Sequence, residues 1–490
     1  MVAVAIETRN VSERLEENRR IISEEVGGNV SFDILFKDLH FRGQKAFFFA
    51  VDGFVKDDVL LRIAEDLIYS REEQFRNRDV FEVIEKERVG YIETESVDKI
   101  QEAIEQVMGG VVALFVEGET QALLLDVRTY PARGPQEPEL EKVIRGPRDG
   151  FTETLVFNTA LIRRRVRDPK LRNELVTVGS RSKTDVAIMY IDDIANNALV
   201  AEVRRRLQAI EIDGLPMAEK SVGEFLHDKG WWNPFPSVRF TERPDIAATH
   251  LFEGHIVVVV DTSPGVLLLP VTFFHQLQHA EDFHESVVSG TVLRIIRFLG
   301  LAAAWFLVPV WLTLALQPEL LPEGLAFIGP NEVGEIPLGV QMIIATLGFQ
   351  LILLGLVHTP TALATSLGII GAVLLGDLAV QVGLFVNEVI LYVIIAALGS
   401  FVIPNFDLRT AIRVSNIFLI VMVVLFKLPG LIIGLLLNGL LLVSNHSLGV
   451  SYLWPLIPLD VGALFQVLVR HPIPARYKRP AFLNPEDPDK

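Results

Sequence analysis

The sequence predicts a two-lobed, duplicated α/β domain on the cytoplasmic side, followed by an α-helical polytopic membrane domain. Three observations predict this: an abrupt change of composition near residue 297, an internal repeat before it, and long uncharged apolar runs after it. The 490 residues carry a formal net charge of −16, yet half are apolar and the mean hydropathy is +0.37. A single water-soluble domain rarely combines these values. Of the charged residues, 87 lie at or before Arg297 and 19 after it, and no Lys or Arg occurs from Phe298 to Leu408.

The first 25 residues, MVAVAIETRNVSERLEENRRIISEE, have neither the basic start nor the apolar core of a secretory signal, so the first domain is expected to stay in the cytoplasm. The repeat begins with strand-like FFFAVD, ending at Asp52, and VAIMYID, ending at Asp192. Each precedes a helical stretch and then a β-hairpin pattern, GGVVALFVEGETQALLLDVRTY from Gly109 and EGHIVVVVDTSPGVLLLPVTFF from Glu253. The strands lie 140 positions apart and the hairpins 144, the nearly constant offset that duplication leaves. This divides the chain into an N-terminal helical extension (1–29), lobe 1 (30–133), a helical linker (134–174), lobe 2 (175–290), a transmembrane domain (291–449), and an interfacial segment with a basic cytoplasmic tail (450–490).

In the linker, Arg163, Arg164, Arg165 and Arg167 form a short basic run. They are either a solvated helix face with intramolecular salt bridges or, in so acidic a domain, inter-subunit contacts to a neighbouring copy.

Phe298 to Leu316 and Leu338 to Val357 are uncharged and long enough to span the hydrocarbon core as helices. The link between them carries Glu319, Glu323, Glu332 and Glu335, whereas Arg294 and Arg297 precede the first span, so the positive-inside rule puts the link outside. Thr361 to Gly376 is short for a span, and Leu378 to Ile403 is a long one with polar interruptions. Ala411 to Val443 is broken at Lys427-Leu-Pro-Gly430 and reads as one kinked helix or two half-helices. The basic tail, expected inside, requires an even number of crossings and favours the half-helices. Gly348, Gly355, Gly368, Gly371 and Gly376 suit close helix contacts.

On a continuous helix Asp377, Gln381, Glu388 and Tyr392, at steps of 4, 7 and 4, share one face. A carboxylate among lipid-facing helices is costly, so this stripe marks a pore or ion pathway, or else Glu388 pairs with Lys427 or is neutral and hydrogen-bonded. Rings of such residues favour cations. His275, His279 and His284 flank Glu281 and Asp282 where the soluble part ends; without thiolates or an HExxH pattern they read as a polar joint, and no metal or cofactor is expected. The chain has no cysteine, excluding disulfides and thiolate chemistry. No phosphate-binding loop, nucleophile elbow or catalytic carboxylate pair stands out, which argues against an enzyme, and the acidic charge argues against nucleic acid as a partner.

Several long segments in one order, RGPRDGFTETLVFNTALIRRR (145–165), GSRSKTDVAIMYIDDIA, FPSVRFTERPD (235–245), HAEDF and GDLAVQVGLFVNEVILYVIIAALGSFVIP, resemble the spore germination receptor A-subunit family, the GerA family. The likeness covers nearly the whole chain. It implies a multi-pass protein of the inner spore membrane with its two-lobed domain on the core side. It further implies a homo-oligomeric ion channel, in contact with membrane lipid and with other spore membrane germination proteins as partners. The GDLAV and NEVI segments within 371–404 match the family pattern around a pore helix. The alternative is a non-conducting scaffold or signalling subunit of a germination or dipicolinic acid release complex. A solute transporter, with a mid-membrane site in one protomer, is a third class.

Overall fold

The structure, a computed structural model, describes residues 9–41, 43–69, 81, 93–129, 141–227, 232–321, 323–331, 334–358, 379–381, 383–472, 474 and 478–489. It divides into two compact units. Met1–His227, Phe240–Pro270 and Arg476–Lys490 make the first; Asp228–Arg239 and Val271–Ala475 make the second.

The first unit holds two five-stranded sheets. One contains β1 (Ile34–Phe41), β2 (Gln44–Val51), β3 (Thr94–Val97), β4 (Val112–Val116) and β5 (Ala122–Leu125), in the order β1-β2-β4-β5-β3. The other contains β6 (Leu171–Val178), β7 (Thr184–Ile191), β8 (Arg239–Thr241), β9 (Ile256–Val260) and β10 (Val266–Leu269), in the order β6-β7-β9-β10-β8. The topology is the same twice. Strands β4 (VALFV) and β9 (IVVVV) are buried at every position, as strands covered on both faces must be. In the first sheet Phe47 and Phe115 stack with ring centroids 5.0 Å apart.

The repeat is larger than the sequence pattern predicts. Helix α1 (Leu15–Val26) and helix α4 (Leu155–Arg163) open the two copies, with α2 (Asp57–Ile68) and α3 (Ile100–Met108) between them in the first. At the start of α1, Asn18 accepts from Ser12 N at 2.8 Å and donates to Ser12 O at 2.7 Å. At the start of α4, Asn158 does the same with Thr152, at 2.7 and 2.5 Å. Leu15 N is capped by Glu117 and Leu155 N by Asp261, each from the hairpin of its own lobe. Within the expected extension 1–29, the described residues 9–29 are therefore not apart from the repeat, and 150–163 is not mere linker; each supplies the first helix of a copy. Strand β6 also starts at Leu171, before the expected boundary at 175.

Helices α5 (Asn197–Gln208), α6 (Ala218–Leu226) and α7 (Pro244–Glu253) complete the second copy. Against it lies the C-terminal tail. Leu483 is fully buried, Asn196 Nδ2 donates to Asn484 O at 3.2 Å, Glu486 N donates to Ile194 O at 3.0 Å, and Arg479 Nε donates to Phe252 O at 3.0 Å.

The second unit is built of apolar helices. Among the described residues, three are long and apolar enough to cross a membrane: α8 (Val287–Leu316), α9 (Leu338–Gly355 within Leu338–His358) and α11 (Phe406–Ser444). Between the last two stands the shorter α10 (Asn387–Phe401). The expected span Thr361–Gly376 lies outside the described residues. Helix α8 widens to a π turn at Ala303–Leu307, where Pro309 has no N–H to give to Trp305 O; Asn416 Nδ2 takes that carbonyl at 2.9 Å.

Helix α11 is two antiparallel arms. Lys427, at φ 54° and ψ −134°, breaks it. After the break Gly430 lies against Met422 O, Gly434 against the Leu419 side chain, and Asn438 against Ser415. A straight helix would separate residues 415 and 438 by about 34 Å. The missing Cβ atoms let the arms touch. Helices α8 and α10 cross at Gly300 and Gly399, where a Cβ on Gly399 would collide with Gly300 O. Of the glycines expected at such contacts, Gly368, Gly371 and Gly376 lie outside the described residues.

Candidate functional site

The polar stripe predicted on one helix face needs an unbroken helix, and the structure breaks it. Ala379–Gln381 is a single helical turn, Gly383 follows at φ +78°, and helix resumes at Asn387. Gln381 and Glu388 therefore do not share a helical face, which corrects that expectation. Asp377 lies outside the described residues. Glycine is suited to the left-handed backbone at 383, and it is the one sequence signal of the break.

The break is held by a side chain from α9. Gln341, 1% exposed, accepts from Val386 N at 2.9 Å and donates to Ile336 O at 2.7 Å. Irregular backbone among apolar helices needs such satisfaction. Glu388 follows in the first turn of α10, a favourable place for a negative charge. Its Oε1 accepts from Asn331 Nδ2 at 2.6 Å and Asn331 N at 3.1 Å, and no ion pair joins it to Lys427 among the described residues. One turn on, Tyr392 stacks on Trp311 at 4.6 Å, and the Trp311 indole donates to Ile328 O at 2.7 Å. Glu388 and Tyr392 thus stay together, half-buried, while Gln381 and Asn387 are exposed on the single chain.

Of the four arginines, Arg163 is fully buried and turned inward. Its Nε and Nη2 donate to the Asp33 carboxylate at 2.5 and 3.1 Å, and Nη2 also reaches Leu171 O at 3.3 Å. It offers nothing to a second copy, which corrects the expectation for this residue. Arg165 is bound to Asp149, both contacts at 2.6 Å. Arg164 and Arg167 are exposed.

His275 is buried with Nδ1 3.1 Å from Thr272 Oγ1, and among the described residues no group of three or more His, Asp or Glu is placed to hold a metal. The charged joint in this segment is made by residues that the histidine pattern obscures. Asp282, fully buried, accepts from Arg297 Nη1 and Nη2 at 2.7 and 2.8 Å, with Arg294 Nε at 3.4 Å. Arg470 Nη2 donates to the neighbouring Phe283 O at 3.0 Å. Deeper among the helices, Trp305 Nε1 donates to Ser415 Oγ at 2.7 Å, and Ser415 donates to Asn438 Oδ1.

The sequence profile described as Bacillus/Clostridium GerA spore germination protein matches residues 20–482. The chain belongs to the GerA family. It is 42% identical to stage V sporulation protein AF of Bacillus subtilis (strain 168) over 96% of this chain and 95% of that protein. It is 29% identical to spore germination protein KA of the same organism, over 97% of this chain and 88% of the relative. The crystal structure of the N-terminal domain of the A subunit of the Bacillus megaterium spore germinant receptor GerK3 aligns with 54% of this chain and 98% of its own, at 27% identity and a TM-score of 0.43. Within this GerA-family chain, the family match takes in both sheets, the described apolar helices and the start of the docked tail, up to residue 482.

Proposed function

We propose that this GerA-family protein is a homo-oligomeric, cation-conducting membrane channel that acts in spore germination, in the inner spore membrane. One observation carries the reading: the broken, polar stretch from Ala379 to Glu388 inside a unit of apolar helices. Helix α10 has 15 residues, about 22 Å, short of a hydrocarbon core of about 30 Å, so a crossing made with this helix takes in the break before it. Non-helical backbone there is tolerated where protein covers it or water lines it. On one chain Gln381 and Asn387 are uncovered and Glu388 is half so. Copies arranged around an axis would cover the break and turn these polar groups onto a shared water path, with Glu388 supplying a cation-favouring ring. Exposed Arg164 and Arg167 are the arginines we assign to neighbouring copies.

The docked tail supports an orientation. Residues 478–489 pack on the second lobe, which supports the reading that the chain returns to the side from which it entered, after an even number of crossings, and that by the positive-inside rule this side is cytoplasmic. Membrane lipid and other spore germination proteins are the partners proposed.

The competing reading is a non-conducting scaffold or signalling subunit, favoured by the stacking of Tyr392 on Trp311, which covers part of the same face within one chain. Single-channel recording of the purified protein in lipid separates the two. The channel reading expects discrete cation currents whose conductance falls in Glu388→Gln and whose selectivity weakens in Gln381→Lys. A stable oligomer that passes no current under any cation gradient, alone or with other germination proteins added, sinks the channel and leaves the scaffold.

A further inference from the structure

Arg413 lies two turns into the first arm of α11, among apolar helices. A guanidinium remains charged at any physiological pH. Its Nη2 meets Ser400 Oγ only at 3.4 Å, and Ser400 gives its own hydrogen to Ala397 O. Its Nε is buried with no hydrogen-bond partner, and no carboxylate pairs with it, among the described residues. One turn before it, Arg409 adds a second positive charge and spends its N–H groups on Ile403 O. Hydrogen bonds to carbonyls satisfy donors; they do not cancel charge in a medium of low dielectric constant.

Beside Arg413 is a cavity of about 30 Å³, lined on its polar side by Thr346, Gln350, Ser400 and Asn416 and elsewhere by apolar side chains. Thr346 Oγ1, on the facing helix α9, is also buried without a partner among the described residues. The two residues that carry these orphaned donors, on two helices, thus line one small space. Its volume suits a single body of about the size of a water molecule. Water would satisfy the donors and leave the charge; an anion of similar size does both.

We propose that this cavity is a binding site for one small monovalent anion of the chloride class, held by Arg413 with the Thr346 hydroxyl and the Gln350 amide. Bound there, the anion neutralises Arg413 and ties α9 to α11. The site is separate from the broken stretch at Gln381 and Glu388, and it does not depend on whether the protein conducts.

The test uses full-length protein in lipid nanodiscs, exchanged into sodium gluconate and titrated with sodium chloride at constant ionic strength. Thermal unfolding and retention of radioactive chloride are read in parallel. The proposal expects a saturable rise in the unfolding midpoint, one chloride retained per chain, affinity about tenfold weaker in Thr346→Val, and no anion response in Arg413→Gln. A midpoint indifferent to the exchange of gluconate for chloride would overturn it, as would an undiminished response in Arg413→Gln. Should that variant fail to fold, Thr346→Val and Gln350→Leu decide, and unchanged chloride affinity in both overturns the site.

Discussion

Arg163 Nε lies 2.5 Å from Asp33 Oδ2, and neither side chain is more than 3% exposed. The pair joins the helix that opens the second copy of the repeat to the segment just before the first strand of the first copy. In the second copy Lys170 stands where Asp33 stands, its carbonyl accepting from Asp192 N as that of Asp33 accepts from Asp52 N, so the second copy has no carboxylate at this position and the duplication is not symmetric here. Removing one partner strands a buried charge. We expect Asp33→Leu and Arg163→Met each to destabilise the protein by about 3–5 kcal/mol, and the double variant carrying both substitutions to recover part of the loss. Unfolding midpoints of the four proteins check this; additive losses would show that the two residues act separately.

Glu174 gives a pH-dependent counterpart in the second lobe. Burial pushes its carboxyl up, and hydrogen bonds from Arg204, at 2.5 and 2.6 Å, and from Tyr190, at 2.6 Å, more than offset that, holding its pKa below the ordinary 4.5. A depressed carboxylate stabilises the fold above its unfolded value and loses that contribution as pH falls through its folded value. The stability gap between wild type and Glu174→Gln should be full at pH 7, about 1.5–3 kcal/mol, and shrink progressively below pH 4.5. A gap constant down to pH 3 would contradict the assignment.

Much of this was legible in the sequence, and the misses have physical causes. The long apolar runs and the paired hairpins each bury a continuous surface, and their patterns survive in one sequence. The opening helices escaped because α1 and α4 share only a Ser/Thr-Glu-x-Leu-x-x-Asn pattern, SERLEEN from Ser12 and TETLVFN from Thr152, embedded in ordinary amphipathic helix. Arg163 read as surface because its partner lies 130 residues away. The helix break read as continuous because Gly383 to Val386 carry no polar side chain to mark it, and its support, Gln341, comes from another element.

Lys427 occupies a backbone region that L residues avoid, at φ 54° and ψ −134°, to reverse the chain between the arms of α11. Leu428 N is anchored there by Gln317 Oε1 at 2.9 Å. Lys427→Gly removes the strain and should stabilise the protein by about 1 kcal/mol, seen as a higher unfolding midpoint in nanodiscs. A lower midpoint would mean that the lysine side chain contributes more than the backbone costs.

The hairpin of α11 is also fixed by a polar contact away from its tip. Ser415 on the first arm accepts from the Trp305 indole and donates to Asn438 on the second arm, whose Nδ2 in turn donates to Gly434 O at 3.0 Å. All three side chains are buried, so each group left behind by a deletion has no water to turn to. Single hydrogen bonds between membrane helices contribute about 0.6 kcal/mol on average and up to about 1.7, because the unfolded chain in lipid also finds partners. Ser415→Ala removes two at once and should cost about 1–2 kcal/mol. Ser415→Thr, which keeps the hydroxyl, should cost less, and Trp305 fluorescence should shift in the alanine variant alone. Equal stability of Ser415→Ala and wild type would show that packing at Gly430 and Gly434 holds the arms together without this bond.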